Sequence, residues 1–179
     1  MTLPNEILPL QNISIVVAVS DNWVIGKNGD MPWGRGLKDD LKNFRITTSG
    51  AGKIVVMGRK TYDVVGRLKD RENIILTNQK GFKAPQCRVA HHKNYVLALS
   101  EAYDVYIIGG SEIYNLFLPH TDRIIVTHVH TEVTDGDAFF PEIPPEEWHA
   151  TPLFSFEQSE RNIFSFDIIQ YRRKPELRT

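Results

Sequence analysis

The chain has 179 residues, 41% of them hydrophobic, which suffices for one domain with its own core and is short for two. Twenty-two Asp and Glu against 21 Lys and Arg leave a formal net charge of −1. Nothing global therefore points to nucleic acid or a membrane surface, although a local cluster of cations still suits an anionic small ligand. Cys87 is the single cysteine, which excludes an internal disulfide and zinc sites built on CxxC pairs.

Residues 1–11, broken by Pro4 and Pro9, read as a flexible arm. Residues 1–12 carry no Lys or Arg and resemble neither a signal nor a transit peptide. No apolar run nears the ~18 residues of a membrane helix, so the expected location is the cytoplasm. Residues 13–19 form a Val- and Ile-rich run without alternation, the pattern of a strand buried on both faces. Residues 20–36 hold four glycines, a proline and two tryptophans with no regular period. A connection of that length in a compact domain reads as a lid or binding loop. Trp23, Met31 and Trp33 also need a partner out of water.

A helical period then covers 37–48. After it, strands at 53–57, 73–77, 104–108 and 123–129 alternate with helices at 61–66, 95–101 and 111–118. Such alternation implies right-handed crossovers and a mostly parallel α/β sheet flanked by helices. The end of the chain differs. Segments 148–158 and 163–172 flank a turn at 159–162, and Phe164, Phe166 and Ile168 recur at period two. This predicts an antiparallel C-terminal β-hairpin at the sheet edge. With no repeat and no linker, residues 12–174 read as a single domain.

Three patterns suggest chemistry. On the helix over 37–48, Leu37, Leu41 and Phe44 make an apolar stripe; Asp40 falls at its border and Asp39 on the solvent side. A carboxylate turned towards apolar surroundings needs a partner. Either it pairs with a nearby Arg or caps a loop, or its partner is a ligand edge with two parallel N–H donors, gripped in bidentate fashion. The second pattern is a strand running through Gly109 and Gly110 into a helix, where close backbone approach and free N–H groups suit phosphate. The third repeats it at Met57-Gly58-Arg59-Lys60-Thr61, with cations at the helix entrance. GxGxxG is absent and the Walker order is not kept, so neither the usual Rossmann fingerprint nor a P-loop is present. Two phosphate-suited entrances still suggest a dinucleotide. His91-His92 and His128/His130 lack a third ligand and read as ordinary surface or packed histidines, so no metal is expected; no GxSxG elbow is present.

A series of motifs runs in order along the chain. They are Ile13-Ser14-Ile15-Val16-Val17-Ala18, Val24-Ile25-Gly26, Met31-Pro32-Trp33, Asp40-Leu41 with Phe44, and Val56-Met57-Gly58-Arg59-Lys60-Thr61-Tyr62. Then follow Asn73-Ile74-Ile75-Leu76-Thr77, Ile108-Gly109-Gly110-Ser111-Glu112-Ile113-Tyr114, Thr127-His128 and Gly136-Asp137-Ala138-Phe139-Phe140-Pro141. Taken in this order, the motifs resemble dihydrofolate reductases, and the resemblance implies a monomeric enzyme passing hydride from NADPH to 7,8-dihydrofolate. It implies Asp40, Trp33, Thr127 and Met31 as the catalytic set. Asp40 holds the pterin, with Thr127 acting through a water, Trp33 ordering a water beside Asp40, and the Met31 loop closing over the nicotinamide. It implies Val16, Val17, Leu41, Phe44, Val65, Arg71, Ile108 and Tyr114 around the substrate, Arg71 taking the glutamate carboxylate. For the cofactor it implies Ala18, Ile25, Gly26, Gly58, Arg59, Lys60, Thr61, Thr77, Asn78, Gly109, Gly110, Ser111, Glu112 and Ile113.

The chain departs from the family pattern in three places. Gly34-Arg35-Gly36 lengthens the Trp33–Asp40 segment by two positions. Residues 67–71 are one shorter and lack a Pro-Gly turn, and Glu112 stands where a basic residue is common. Two rival readings remain at this point. One is the NADPH-dependent pyrimidine reductase of riboflavin synthesis, whose phosphorylated substrate does not need Asp40. The other is a non-catalytic NADPH-binding module.

Overall fold

In the computed structural model, residues 12–175 are described, so the arm expected over residues 1–11 lies outside them. Strands and helices follow the expected alternation: β1 (Ile13–Ser20), β2 (Val24–Gly26), α1 (Lys38–Thr48), β3 (Lys53–Gly58), α2 (Arg59–Val65), β4 (Glu72–Leu76) and β5 (Arg88–Ala90). The second half adds α3 (Lys93–Leu99), β6 (Asp104–Ile107), α4 (Ser111–Phe117), β7 (Arg123–Val129), β8 (Ala138–Phe139), β9 (Trp148–Phe156) and β10 (Phe166–Arg173).

Eight strands form one sheet in the order β5-β4-β3-β6-β1-β7-β10-β9. The first six are parallel, while β10 runs antiparallel to both β7 and β9. β1 lies between β6 and β7, and its side chains divide between the two faces. Ile13, Ile15, Val17 and Val19 enter one core with Phe117 and Val126; Val16 enters the other with Leu37, Met57 and Ile125. Both faces are covered, which is why the strand sequence does not alternate.

The structure differs from the sequence reading at four places. Part of the loop over 20–36 is ordered: β2 pairs with β8 in a separate two-stranded ribbon, Val24 opposite Phe139. Two or three residues are too few to show a period in the sequence. β5 was missed for the same reason. The last strand begins at Phe166 rather than 163, because Asn162 bridges to Leu37 and the Ile163 N–H donates to the Gly36 carbonyl. Lastly, Asp39 is not a free surface acid. It takes hydrogen bonds from Arg161 (2.7 and 2.9 Å) and Asn162 (2.9 Å), which hold its carboxyl below the ordinary carboxylate value. The β9–β10 turn thereby clasps the start of α1, the helix that carries Asp40.

Candidate active site

A cleft of about 1050 Å³ opens across the C-terminal ends of the parallel strands, the side on which open α/β sheets bind ligands. Its walls come from β1, α1, α2, β7 and α4, closed over by residues of the loop that follows β1. All the site residues expected from the sequence line it, except Trp33 and Gly109. Trp33 is packed behind the wall with Leu37 and Val129, and its indole Nε1 is buried without a hydrogen-bond partner among the described residues. Gly109 sits beneath the wall: its carbonyl accepts from the Gly58 N–H at 2.8 Å, and the peptide joining it to Gly110 is cis.

Asp40 lies in the first turn of α1, where the helix N-terminus favours a carboxylate. Its side chain is nevertheless buried, and no cation stands within ion-pairing distance among the described residues. Of the partners the sequence left open, neither an Arg nor a capped loop meets Asp40 among the described residues. Thr127 on β7 donates directly to Asp40 Oδ1 at 2.6 Å, where the resemblance implied a water between them. Burial pushes the Asp40 carboxyl above its ordinary value, and the Thr127 hydroxyl only partly offsets this. An ionised carboxylate has about four lone-pair sites, so one O–H leaves room for a ligand's paired donors.

Around this acid the wall is apolar: Val16, Val17, Leu41, Phe44, Val65, Ile108 and Ile125. Leu68, which the shortened 67–71 stretch hid from the sequence reading, joins them. At the mouth, Arg71 Nε donates to the Lys69 carbonyl at 2.8 Å, Nη1 donates to the Thr48 hydroxyl, and the guanidinium lies 5.9 Å from the centre of the Phe44 ring. No carboxylate lies within 4.0 Å of Arg71 among the described residues. Partial burial lowers its pKa from the usual guanidinium value, a cost that an arriving carboxylate offsets.

The other half of the cleft is built from strand ends. A Cβ on Gly58 would stand 3.0 Å from Ile113 Cγ1, and one on Gly110 would stand 3.5 Å from Thr61 Oγ1. The entrances of α2 and α4 therefore sit side by side, each led by a residue small enough to let backbone approach. Gly109 has φ +125, a conformation open to glycine, and Tyr114 packs over it while donating to the Val16 carbonyl at 2.9 Å. Arg59, Lys60, Thr61, Thr77 and Asn78 supply cations and hydroxyl or amide groups at the far end, and Glu112 adds an acid. Lys93 and His91 also line this end, and the His91 Nδ1–H donates to the Thr77 carbonyl at 2.7 Å. By sequence His91 is an ordinary surface or packed histidine; β5 delivers it here, and so short a strand leaves no signal of that.

The segment after β1 closes the remaining side with Ile25, Gly26, Gly29, Asp30, Met31 and Arg35. Asp137 and Ala138 line the cleft beside it. Asp137 N–H donates to the Gly26 carbonyl at 3.0 Å and its carboxylate accepts from the Asn28 N–H at 2.7 Å, so the residue before β8 holds the outer limb of this loop.

Comparison with known proteins agrees with this geometry. The family model described as dihydrofolate reductase matches residues 12–173. Similar curated proteins include the dihydrofolate reductase of Staphylococcus haemolyticus, 36% identical over 163 residues (90% of this chain and 95% of that protein). That of Bacillus subtilis (strain 168) is 33% identical over 164 residues, again 90% and 95%. Among solved structures, dihydrofolate reductase from Enterococcus faecalis in complex with NADP(H) and RAB-propyl superposes with a TM-score of 0.78. It is 32% identical, and the match covers 93% of this chain and 99% of that one. Given a family match from the first described strand to the last, and relatives matched over nearly their whole lengths, the chain belongs to the dihydrofolate reductase family.

Proposed function

We propose that the chain reduces 7,8-dihydrofolate to 5,6,7,8-tetrahydrofolate with NADPH, acting as a monomer in the cytoplasm with residues 12–174 as one catalytic domain. The observation that carries this reading is Asp40, a buried carboxylate with one hydroxyl donor and, among the described residues, no cation beside it. A folded protein keeps such a group against its desolvation cost when a ligand completes it. The pterin's 2-amino group and adjacent ring nitrogen are the paired donors that fit. The ribosylamino-pyrimidine of the riboflavin branch carries a phosphate and does not require this acid.

The donor set of the second half fits a phosphorylated dinucleotide: Arg59 and Lys60 beside Thr61, Thr77 and Asn78, with Gly58 and Gly110 letting backbone N–H groups approach. NADPH, when bound there, supplies the hydride. The protein's own residues do the rest. Asp40 orients the pterin and stabilises positive charge on it. Thr127 fixes the carboxylate, and the partnerless Trp33 Nε1 is the donor that holds a water at the polar edge of the ring. Val16, Val17, Leu41, Phe44, Val65, Ile108 and Tyr114 exclude solvent from the ring faces, while Arg71 takes the glutamate carboxylate. The lid, through Ile25, Gly26 and Met31, screens the reacting centre. N5 draws its proton from solvent admitted by the lid, because Asp40 is engaged at the opposite edge of the ring.

The test is the loss of NADPH absorbance with dihydrofolate as acceptor. Folate-dependent oxidation supports the reading. Oxidation only with a phosphorylated ribosylamino-pyrimidine, or cofactor binding without turnover, overturns it.

A further inference from the structure

The root of the lid is built into a cluster that touches neither half of the cleft. Trp23 opens the lid with φ +62, a left-handed conformation that costs a non-glycine residue energy and persists only where surroundings enforce it. Its ring meets His128 of β7 edge to face, with centroids 5.7 Å apart and planes at 81°. His128 Nε2 in turn lies 2.8 Å from the Tyr171 hydroxyl on β10. Hydrogen bonds tie the same root down: the Ser20 hydroxyl donates to Asn22, Asn22 exchanges two bonds with Val133, and the Asp21 N–H donates to Thr131.

The ionisable groups around His128 come from every side. They are Asp167 and Tyr171 on β10, His130 just after β7 and Asp21 in the lid root. His130 bridges the two acids, 3.1 Å from Asp167 and 3.9 Å from Asp21. Ser155 on β9 donates to the other Asp167 oxygen at 2.6 Å.

We propose that His128 is a positioning residue for the lid: its neutral imidazole, held between Tyr171 and Trp23, seats the lid root, and protonation unseats it and loosens the hold on the cofactor. This rests on the proposed function, which makes the loop a lid over NADPH. Burial depresses the pKa of the seated imidazole, and His130 adds to this, against the pull of Asp167 and Asp21. The seated state therefore binds a proton less readily than an imidazole in water. As pH falls, the balance moves towards the unseated state, by up to tenfold for each pH unit between the two pKa values.

The experiment uses the full chain. Trp23 fluorescence, taken as wild type minus Trp23→Phe, is followed without ligand from pH 8 to pH 5, and NADPH release is timed by stopped flow over the same range. We expect quenching with a midpoint below that of an ordinary histidine, and release about three- to tenfold faster at the acid end. His128→Gln retains a partner for Tyr171 but cannot titrate, so both profiles should flatten. His130→Gln removes a like charge and should move the midpoint upward. Where His128→Gln does not fold, wild type alone decides by proton NMR, since saturating NADPH should lower the midpoint of the His128 Cε1 signal. A flat wild-type profile, an unaltered pH profile in His128→Gln, or an NMR midpoint unmoved by NADPH overturns the proposal. Failure of NADPH to bind strikes the proposed function instead, and the ligand-free fluorescence still decides whether His128 seats the root.

Discussion

Asp40 carries its charge at a cost, and the sign of that cost can be measured. Its pKa is raised by burial in the folded chain, so the folded state binds a proton more readily than the unfolded one. Stability from this group is complete below the ordinary carboxylate value near 3.8 and is lost as pH rises towards the raised folded value. Asp40→Asn should therefore melt at or above wild type at pH 7 without ligand, its advantage shrinking as pH falls through that window. Thermal melts across pH check this, and a much lower melting point at pH 7 would show a fold residue. At the mouth, Arg71→Lys loses the fork that matches a carboxylate. Titration should show dihydrofolate bound about tenfold more weakly, and a pterin lacking the glutamate unchanged. At the other end, Arg59 makes an exposed pair with Asp63 at 2.9 Å, which is easily given up to a phosphate. Arg59→Ala should cut the preference for NADPH over NADH about tenfold, read from kcat/KM for each cofactor, while folate affinity holds.

At the scale of elements, the lid depends on a ribbon of five residues, β2 and β8. Gly136 precedes β8 and packs directly on Val24, so that an added Cβ would overlap Val24 Cγ1 and stand 3.1 Å from its Cβ. Val24 is fully buried and has no room to retreat. Gly136→Ala should push β2 off β8 and release the outer limb of the lid. Single-turnover measurements should show hydride transfer slowed about tenfold or more, with dihydrofolate affinity changed less, since Asp40, Phe44 and Arg71 stand on other elements. Equal losses in rate and affinity would mean that the damage reaches α1. The ribbon also marks where the sequence stops being legible. Long parallel strands announce themselves by Val and Ile runs, whereas β2, β5 and β8 are held by hydrogen bonds to distant segments and leave no period. The clasp of Asp39 by Arg161 and Asn162 was invisible for the same reason: helical spacing places Asp39 facing outward, and only the fold brings residue 161 to it.

Across the whole molecule, the alternation of strands and helices and the C-terminal hairpin were readable in the sequence, because burial on both faces of a sheet leaves a compositional trace. The site was readable in two different ways. Helical spacing alone singled out Asp40, and the glycine turns at 58 and 109–110 pointed to phosphate. The roles of Arg71, Val65 and Thr127 came through family resemblance, since nothing local distinguishes them. His91, Lys93 and the contacts of His128 with Trp23 and Tyr171 came through neither route, being assembled from segments far apart in the chain. The pieces meet in one claim, that Asp40 serves the pterin rather than the fold. The most direct test is the single-turnover hydride-transfer rate against pH, for wild type and Asp40→Asn. Losing a charge-assisted contact that strengthens in the transition state costs ~2–4 kcal/mol, or about 30- to 1,000-fold in rate. The mutant should be slowed by that factor at neutral pH while still binding NADPH. The deficit should shrink as pH falls, because a protonated substrate needs less help from the carboxylate. A mutant that transfers hydride at the wild-type rate at pH 7, with its melting point sharply lowered, contradicts that role for Asp40.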